Sequence, residues 1–262
     1  MDTPQIDIVR AHLSGLALRA DDEGQADDGM PTMIGHFSRF DSWYEIHSYW
    51  EGDFLERFVP GSFRETFAEH HDAEDPHRIK VQFQHGYDSA VGQRLLGPLA
   101  DLREDKVGGY YEVPLFDTSY NHDLIPGLRA GEYGASFRFR VLQEEWNDEP
   151  GRSDHNPDGL PERTITGARV FELGPVAFGA SPTATAGLRS LTDQYYDAVR
   201  AVHPSTFEDV CRAAGREIPT GRVAARSTAG GGQDDDESST QQHPHVSPEA
   251  RHRDLRMKGI IR

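Results

Sequence analysis

The chain is short of several things, and each shortage closes off a class of protein. It has one cysteine, Cys211, in 262 residues. No intramolecular disulfide is possible, and the chain reads as intracellular. It has no excess of basic charge: 27 Lys and Arg stand against 44 Asp and Glu, a net of −17. That balance sets nucleic acid aside as a whole-molecule partner. No run approaches ~18 consecutive apolar residues, so no membrane-spanning helix is expected. Met1-Asp2-Thr3-Pro4-Gln5 lacks the basic start and apolar core of a signal peptide. Apolar residues make up only 36% of the chain, so part of it is expected to lie outside the core. No internal repeat is evident.

Two stretches carry chemistry. Phe83-Gln84-His85-Gly86 and Tyr133-Gly134-Ala135-Ser136-Phe137-Arg138-Phe139 each set one reactive side chain in an alternating apolar and polar run, the pattern of a half-buried strand. Serine is a poor nucleophile until a base takes its proton. Histidine is the usual base, since its ordinary pKa lies near neutrality. Alternation puts Ser136, Arg138 and Arg140 on one face and Phe137, Phe139 and Val141 on the other. Arg138 is a candidate for binding substrate backbone or stabilising an oxyanion. Glu172 sits in the apolar run Val170-Phe171-Glu172-Leu173-Gly174-Pro175-Val176. A carboxylate there is either paired or functional, or turned to solvent. Asp88 either orients His85 or makes a turn.

Other reactive residues read more blandly. Ser181, before Pro182, suits turn chemistry. Neither Gly-Ala-Ser triplet forms a Gly-x-Ser-x-Gly elbow, which disfavours an α/β-hydrolase. Cys211 reads as a small half-buried residue of a helix. His70, His71, Asp72 and His77 invite a metal reading, but their irregular spacing among Glu, Asp and Pro reads as a loop.

Along the chain, residues 6–18 read as a first strand, 20–30 as an acidic loop and 33–50 as one or two strands. Pro60-Gly61 marks a turn, with Ser62 expected to cap a helix from Phe63 to about Ala68. Residues 95–102 and 110–115 suggest a hairpin. Residues 119–131 read as a helix with Leu124, Ile125 and Leu128 on its apolar face, ended by Gly131. Residues 143–163 read as an exposed loop, 164–178 as strand, and 195–214 as one or two helices broken at His203-Pro204. Residues 227–262 divide into a low-complexity stretch expected to be disordered and a basic end suited to docking.

The order of these features resembles the prohead proteases of tailed bacteriophages, serine endopeptidases that share a fold with herpesvirus assemblin. The resemblance covers roughly residues 34–188. It rests on Gly35-His36-Phe37-Ser38, Glu56-Arg57-Phe58-Val59-Pro60-Gly61-Ser62-Phe63, Val81-Gln82-Phe83-Gln84-His85 with Val91-Gly92, Gly109-Tyr110-Tyr111-Glu112-Val113-Pro114-Leu115, Gly131-Glu132-Tyr133-Gly134-Ala135-Ser136-Phe137, and Phe171-Glu172-Leu173-Gly174-Pro175-Val176 followed by Ser181-Pro182-Thr183-Ala184. Two departures stand out. Glycine follows His85 where the family often has an acidic or amide residue, and Gly174-Pro175 stands where a Val-Ser pair is common.

The resemblance implies Ser136 as nucleophile, His85 as general base and Glu172 as third member, with no metal or organic cofactor. It implies a mainly β protein (α+β) with peripheral helices, built on a closed or partly closed antiparallel, assemblin-like β-barrel with a flexible C-terminal tail. The expected division is a protease domain over 1–190, a helical extension over 191–226, and a disordered linker with a basic tail over 227–262. The implied substrates are the scaffold and the major capsid protein, with self-cleavage and self-association, and the implied setting is the procapsid in the host cytoplasm. A catalytically inactive capsid assembly or scaffolding protein is the alternative reading, and a metal hydrolase using the His70 cluster is a second.

Overall fold

A computed structural model describes residues 6–12, 16–19, 29–74, 78–177 and 188–217. The elements run β1 Ile8–His12, β2 Leu16–Arg19, β3 Thr32–His36, β4 Tyr44–Ser48, β5 Gly52–Phe58, α1 Arg64–His71, β6 Lys80–Val81, β7 Asp101–Glu104, β8 Gly109–Pro114, α2 Ser119–Ala130, β9 Tyr133–Asn147, β10 Glu162–Ala177, β11 Leu188–Ser190, α3 Thr192–Val202 and α4 Pro204–Ala213. The fold is mixed α+β, mostly sheet.

The strands form two sheets. The larger has the order β11-β1-β9-β10-β5-β4, with β6 also on β10, and the smaller has the order β2-β3-β8-β7. No closed barrel is formed among the described residues, in contrast to the expected barrel. Nor is the pairing wholly antiparallel, because β5 and β6 both run parallel to β10. The physical reason lies in the length of β10: its first residues pair with β5 and Glu172-Leu173 pair with β6, so one edge is shared by two short strands at different heights.

The main core lies on the Phe face of β9. Phe137 and Phe139 are buried and meet Phe37, Phe58 and Phe63 at ring-centroid distances of 4.8 to 6.0 Å. Aromatic pairs at such spacing add to the area that they bury. The same side of the sheet holds a buried ion network. Arg10 Nε donates to Glu56 at 2.8 Å and Arg10 Nη2 to Glu51 at 2.6 Å, while Arg163 reaches Glu56 at 3.1 Å. Burial would raise the Glu51 pKa, but Arg10 and then Arg163 hold it below the ordinary carboxylate range. This network ties β1 to β5 and β10, and nothing in the sequence pattern singled out Arg10.

Several expectations meet the structure directly. The region read as one first strand is two, β1 and β2, in different sheets. Strands β3 and β4 occupy the region read as one or two strands. The helix α2 and the α3–α4 pair with its break at His203 stand where they were expected, and the β7–β8 hairpin turns in the expected place, but its first strand is Asp101–Glu104 rather than 95–102. The loop expected over 143–163 is shorter, because β9 runs on to Asn147 and β10 begins at Glu162. Their cross-strand pairing continues through polar residues, which solvent on one face tolerates.

Ser62 does not cap α1. Its hydroxyl lies 2.5 Å from the Val59 carbonyl and 2.8 Å from that of Ile165. The Glu104 carboxylate of β7 takes the cap's place, accepting from the amides of Phe63 at 2.7 Å and Gly61 at 2.8 Å, where the helix dipole favours negative charge. His70 and His71 lie on α1 rather than in a loop. Cys211 is fully buried against Trp50, Tyr196, Val199 and Phe207 rather than half-buried. Ser181, His77, the acidic loop over 20–28 and the whole segment 227–262 lie outside the described residues.

Candidate active site

Three local devices build the site on the non-aromatic face of β9. The first is register. Ser136 pairs with Ala11 of β1 on one side and Gly174 of β10 on the other. Directly opposed residues point to the same face. Ser136 therefore shares its face with Val9, Ala11 and Val176, which cluster with Leu191 beneath Tyr195 of α3.

The second is a bulge. Val170 pairs with Phe139 and Glu172 with Arg138, so one extra residue, Phe171, enters β10 between them. Strict alternation from the buried Val170 would aim Glu172 into the aromatic core. The bulge turns it to the Ser136 face instead, as bulges beside active sites often do. This settles the open reading of Glu172: it is 1% exposed and paired, not turned to solvent.

The third is a turn. Strand β6 pairs Lys80 with Glu172 and Val81 with Leu173, and the Gln82 amide donates to the Leu173 carbonyl at 3.0 Å. The chain then folds into a 3-10 turn over Phe83–Gly86, so His85 does not lie on a strand as its alternating context suggested. Three successive residues there have left-handed φ: Gln84 at 50°, His85 at 56° and Gly86 at 77°. Two non-glycine residues in this region cost roughly 1–2 kcal/mol each. The glycine after His85 spares the turn a third such penalty. Gly174 makes the approach possible, since a Cβ there would lie 1.9 Å from the Gln82 carbonyl oxygen. Both departures from the family pattern thus have a steric reason in this chain.

The result is a chain of three side chains. Ser136 Oγ lies 2.8 Å from His85 Nε2, and His85 Nδ1 lies 2.5 Å from Glu172 Oε2. Ser136 Oγ also lies 2.9 Å from the Arg10 carbonyl. The hydroxyl has one proton and two acceptors. With the imidazole neutral and Nδ1–H donated to Glu172, Nε2 is free to accept the serine proton. With the imidazole doubly protonated, Nε2–H donates to Oγ and the hydroxyl turns to the Arg10 carbonyl. Ser136 has no exposed surface, and the His85 side chain is 8% exposed.

Sequence reasoning missed the surroundings. Tyr195 of α3 meets the His85 ring edge-on at 6.1 Å and Tyr87 at 5.6 Å. Burial pushes its phenol pKa well up, so it stays neutral. Arg138 Nη1 donates to Asp7 at 2.6 Å and stacks over Phe171 and Tyr195. Burial would lower the Arg138 pKa, but Tyr195, Asp7 and Glu172 raise it, which keeps the guanidinium charged. Asp88 makes a turn rather than orienting His85, accepting from the amides of Ala90 and Val91. Two histidines of the metal reading are otherwise engaged: His70 Nδ1 accepts from the Ile79 amide and His71 Nε2 donates to the Leu102 carbonyl. Among the described residues no group of three or more His, Cys, Asp or Glu is placed to hold a metal ion, and no helix is long and apolar enough to cross a membrane.

Comparison with known proteins gives one family match. The sequence model described as caudovirus prohead serine protease matches residues 14–197, more than half the chain. No curated protein matches. Among solved structures the chain is similar to the bacteriophage T4 capsid assembly protease gp21, at 8% identity and a TM-score of 0.31, over 58% of this chain and 100% of that one. A likeness of that size carries no argument by itself.

Proposed function

Since the chain belongs to the caudovirus prohead serine protease family, we propose that it is a serine endopeptidase of capsid maturation in which Ser136, His85 and Glu172 act together. The observation that carries this reading is the unbroken line from Ser136 Oγ through both nitrogens of His85 to Glu172. His85 takes the serine proton as Oγ attacks a peptide carbonyl. The C–N bond then breaks, and His85 returns the proton to the leaving amine. Water, deprotonated by the same imidazole, attacks the acyl-enzyme, releases the carboxylate and restores the serine. Glu172 holds the Nδ1–H tautomer and stabilises the imidazolium that forms. Arg138, kept charged by Asp7, offers a positive group on the same face for substrate backbone or a developing oxyanion. No step in this scheme requires a metal or organic cofactor.

The substrates in this reading are the scaffold and the major capsid protein, together with the chain itself, within the procapsid of an infected bacterium. Purified chain incubated with its neighbouring capsid protein, with fragment masses read out, tests it. Ser136→Ala is expected to lower cleavage by about 10⁴-fold or more, and His85→Ala similarly. Undiminished cleavage in Ser136→Ala defeats the assignment. Failure of wild-type Ser136 to react with a serine-directed phosphonate favours an inactive assembly protein instead.

A further inference from the structure

Beside His85 lies a cleft of about 490 Å³ between the Phe83–Gly86 turn and α3. We infer that this cleft receives a neutral, apolar side chain next to the scissile bond of an extended peptide, with Tyr195 and Ala198 deciding which side chain fits. The inference rests on the protease reading above and adds the substrate class.

Four observations support it. The first is size, since a cleft of this volume falls in the range that holds a small ligand or a few peptide residues. The second is continuity. His85 lines the cleft and its Nε2 bonds the Ser136 hydroxyl, while Ser136 has no exposed surface. A peptide carbonyl bound for Oγ therefore passes the imidazole, and the cleft is the concavity on that route. The third is chemistry. The buried Val176 and Leu191 and the half-buried Tyr195 and Ala198 supply apolar surface, while Gln84, Asp88 and Ser89 on the turn side and Gln194 at the rim of α3 are its polar members. An acidic substrate side chain would meet Asp88 within a chain of net charge −17, and would be disfavoured.

The fourth is that the α3 wall is fixed. The Val9 amide donates to Thr192 Oγ1 at 3.1 Å, Ser48 Oγ donates to Asp193 at 2.7 Å, and the Tyr196 hydroxyl donates to the Asp7 carbonyl at 3.1 Å. Trp50 packs on Tyr196 at 4.4 Å from behind. A wall held at this many points sets the width of the cleft, and Tyr195 and Ala198 are the half-buried α3 side chains that line it, with Gln194 exposed beside them.

The test is a random-sequence peptide mixture digested by the full chain, with the residues on both sides of each cut read by mass spectrometry. Wild type is expected to prefer apolar residues and reject Asp and Glu at one position flanking the cut. Ala198→Trp narrows the cleft and is expected to lower kcat/KM at least tenfold for peptides with Leu or Phe there, relative to Ala. Tyr195→Ala widens it and is expected to shift the preference tenfold towards Trp and Phe. Opposite shifts from two substitutions cannot come from a shared folding defect. Fluorophosphonate labelling of Ser136 keeps the two readings apart. Labelled variants with unchanged cut-site preferences, or a wild-type preference for acidic residues at that position, overturn the cleft and leave the protease. No labelling and no cleavage by wild type overturns both.

Discussion

On one face of β9, Phe137 and Phe139 sit among Phe37, Phe58 and Phe63. On the other, Ser136 and Arg138 meet His85, Asp7 and Tyr195. The aromatic face is held by many contacts of similar kind, and each can be exchanged for another apolar group of similar volume. The Ser136 face is held by few contacts, each with a donor, an acceptor and a required distance. It also stores strain that the aromatic face does not, in the left-handed turn around His85. The aromatic side gives the sheet its stability. The other side spends some of that stability on placing an imidazole.

Substitutions on the two faces should therefore fail differently. After Ser136→Ala and His85→Ala, the largest effect is expected from Glu172→Gln, which keeps the shape but loses the charge that holds the Nδ1–H tautomer. Cleavage should fall by about 10⁴-fold with the melting temperature little changed. Near-normal kinetics would remove Glu172 from the chemistry. Phe137→Ala breaks the other face: a loss of about 3–5 kcal/mol in unfolding free energy is expected by denaturant titration. The fraction that remains folded should still react with a phosphonate. If phosphonate reactivity vanished while the chain stayed folded, the two faces would not be separable.

Gly174→Ala lies between the two kinds of failure. The new methyl must displace the Gln82 backbone and with it the turn that carries His85. A shift of about 1 Å there should cost about 10²-fold in kcat, with a smaller effect on KM. Gln84→Gly has the smallest expected effect, a gain of up to about 1 kcal/mol in stability as the left-handed strain is relieved. A loss of stability instead would mean that the Gln84 side chain contributes more than its backbone costs.

The alternation of Ser136, Phe137, Arg138 and Phe139 was legible because a period of two is a property of any strand with one face buried. Helix α2 was legible for a similar local reason, its apolar positions at helical spacing and a glycine at its end. Glu172 was only half legible. Its apolar surroundings marked it as unusual, but alternation alone aims it the wrong way, and the bulge at Phe171 has no signature within the strand. His85 was found by its motif and misplaced by its pattern, because a turn of three left-handed residues hides inside an alternating run. Tyr195 carried no local signal, since its role comes from meeting the ring of His85, more than a hundred residues earlier in the chain.

What the linear order of residues determined unaided was periodicity: which positions on β9 face an apolar interior, where the long helices lie, and that Ser136 is set in a strand. These are interactions between near neighbours, and the chain's own geometry decides them. What only the tertiary structure decided was the meeting of groups distant in sequence: the imidazole over Ser136, Glu172 turned beneath it by one inserted residue, Gly174 yielding space to Gln82, and Tyr195 closing the cleft. Each depends on sheet register and on how closely two backbones approach, which no single segment encodes.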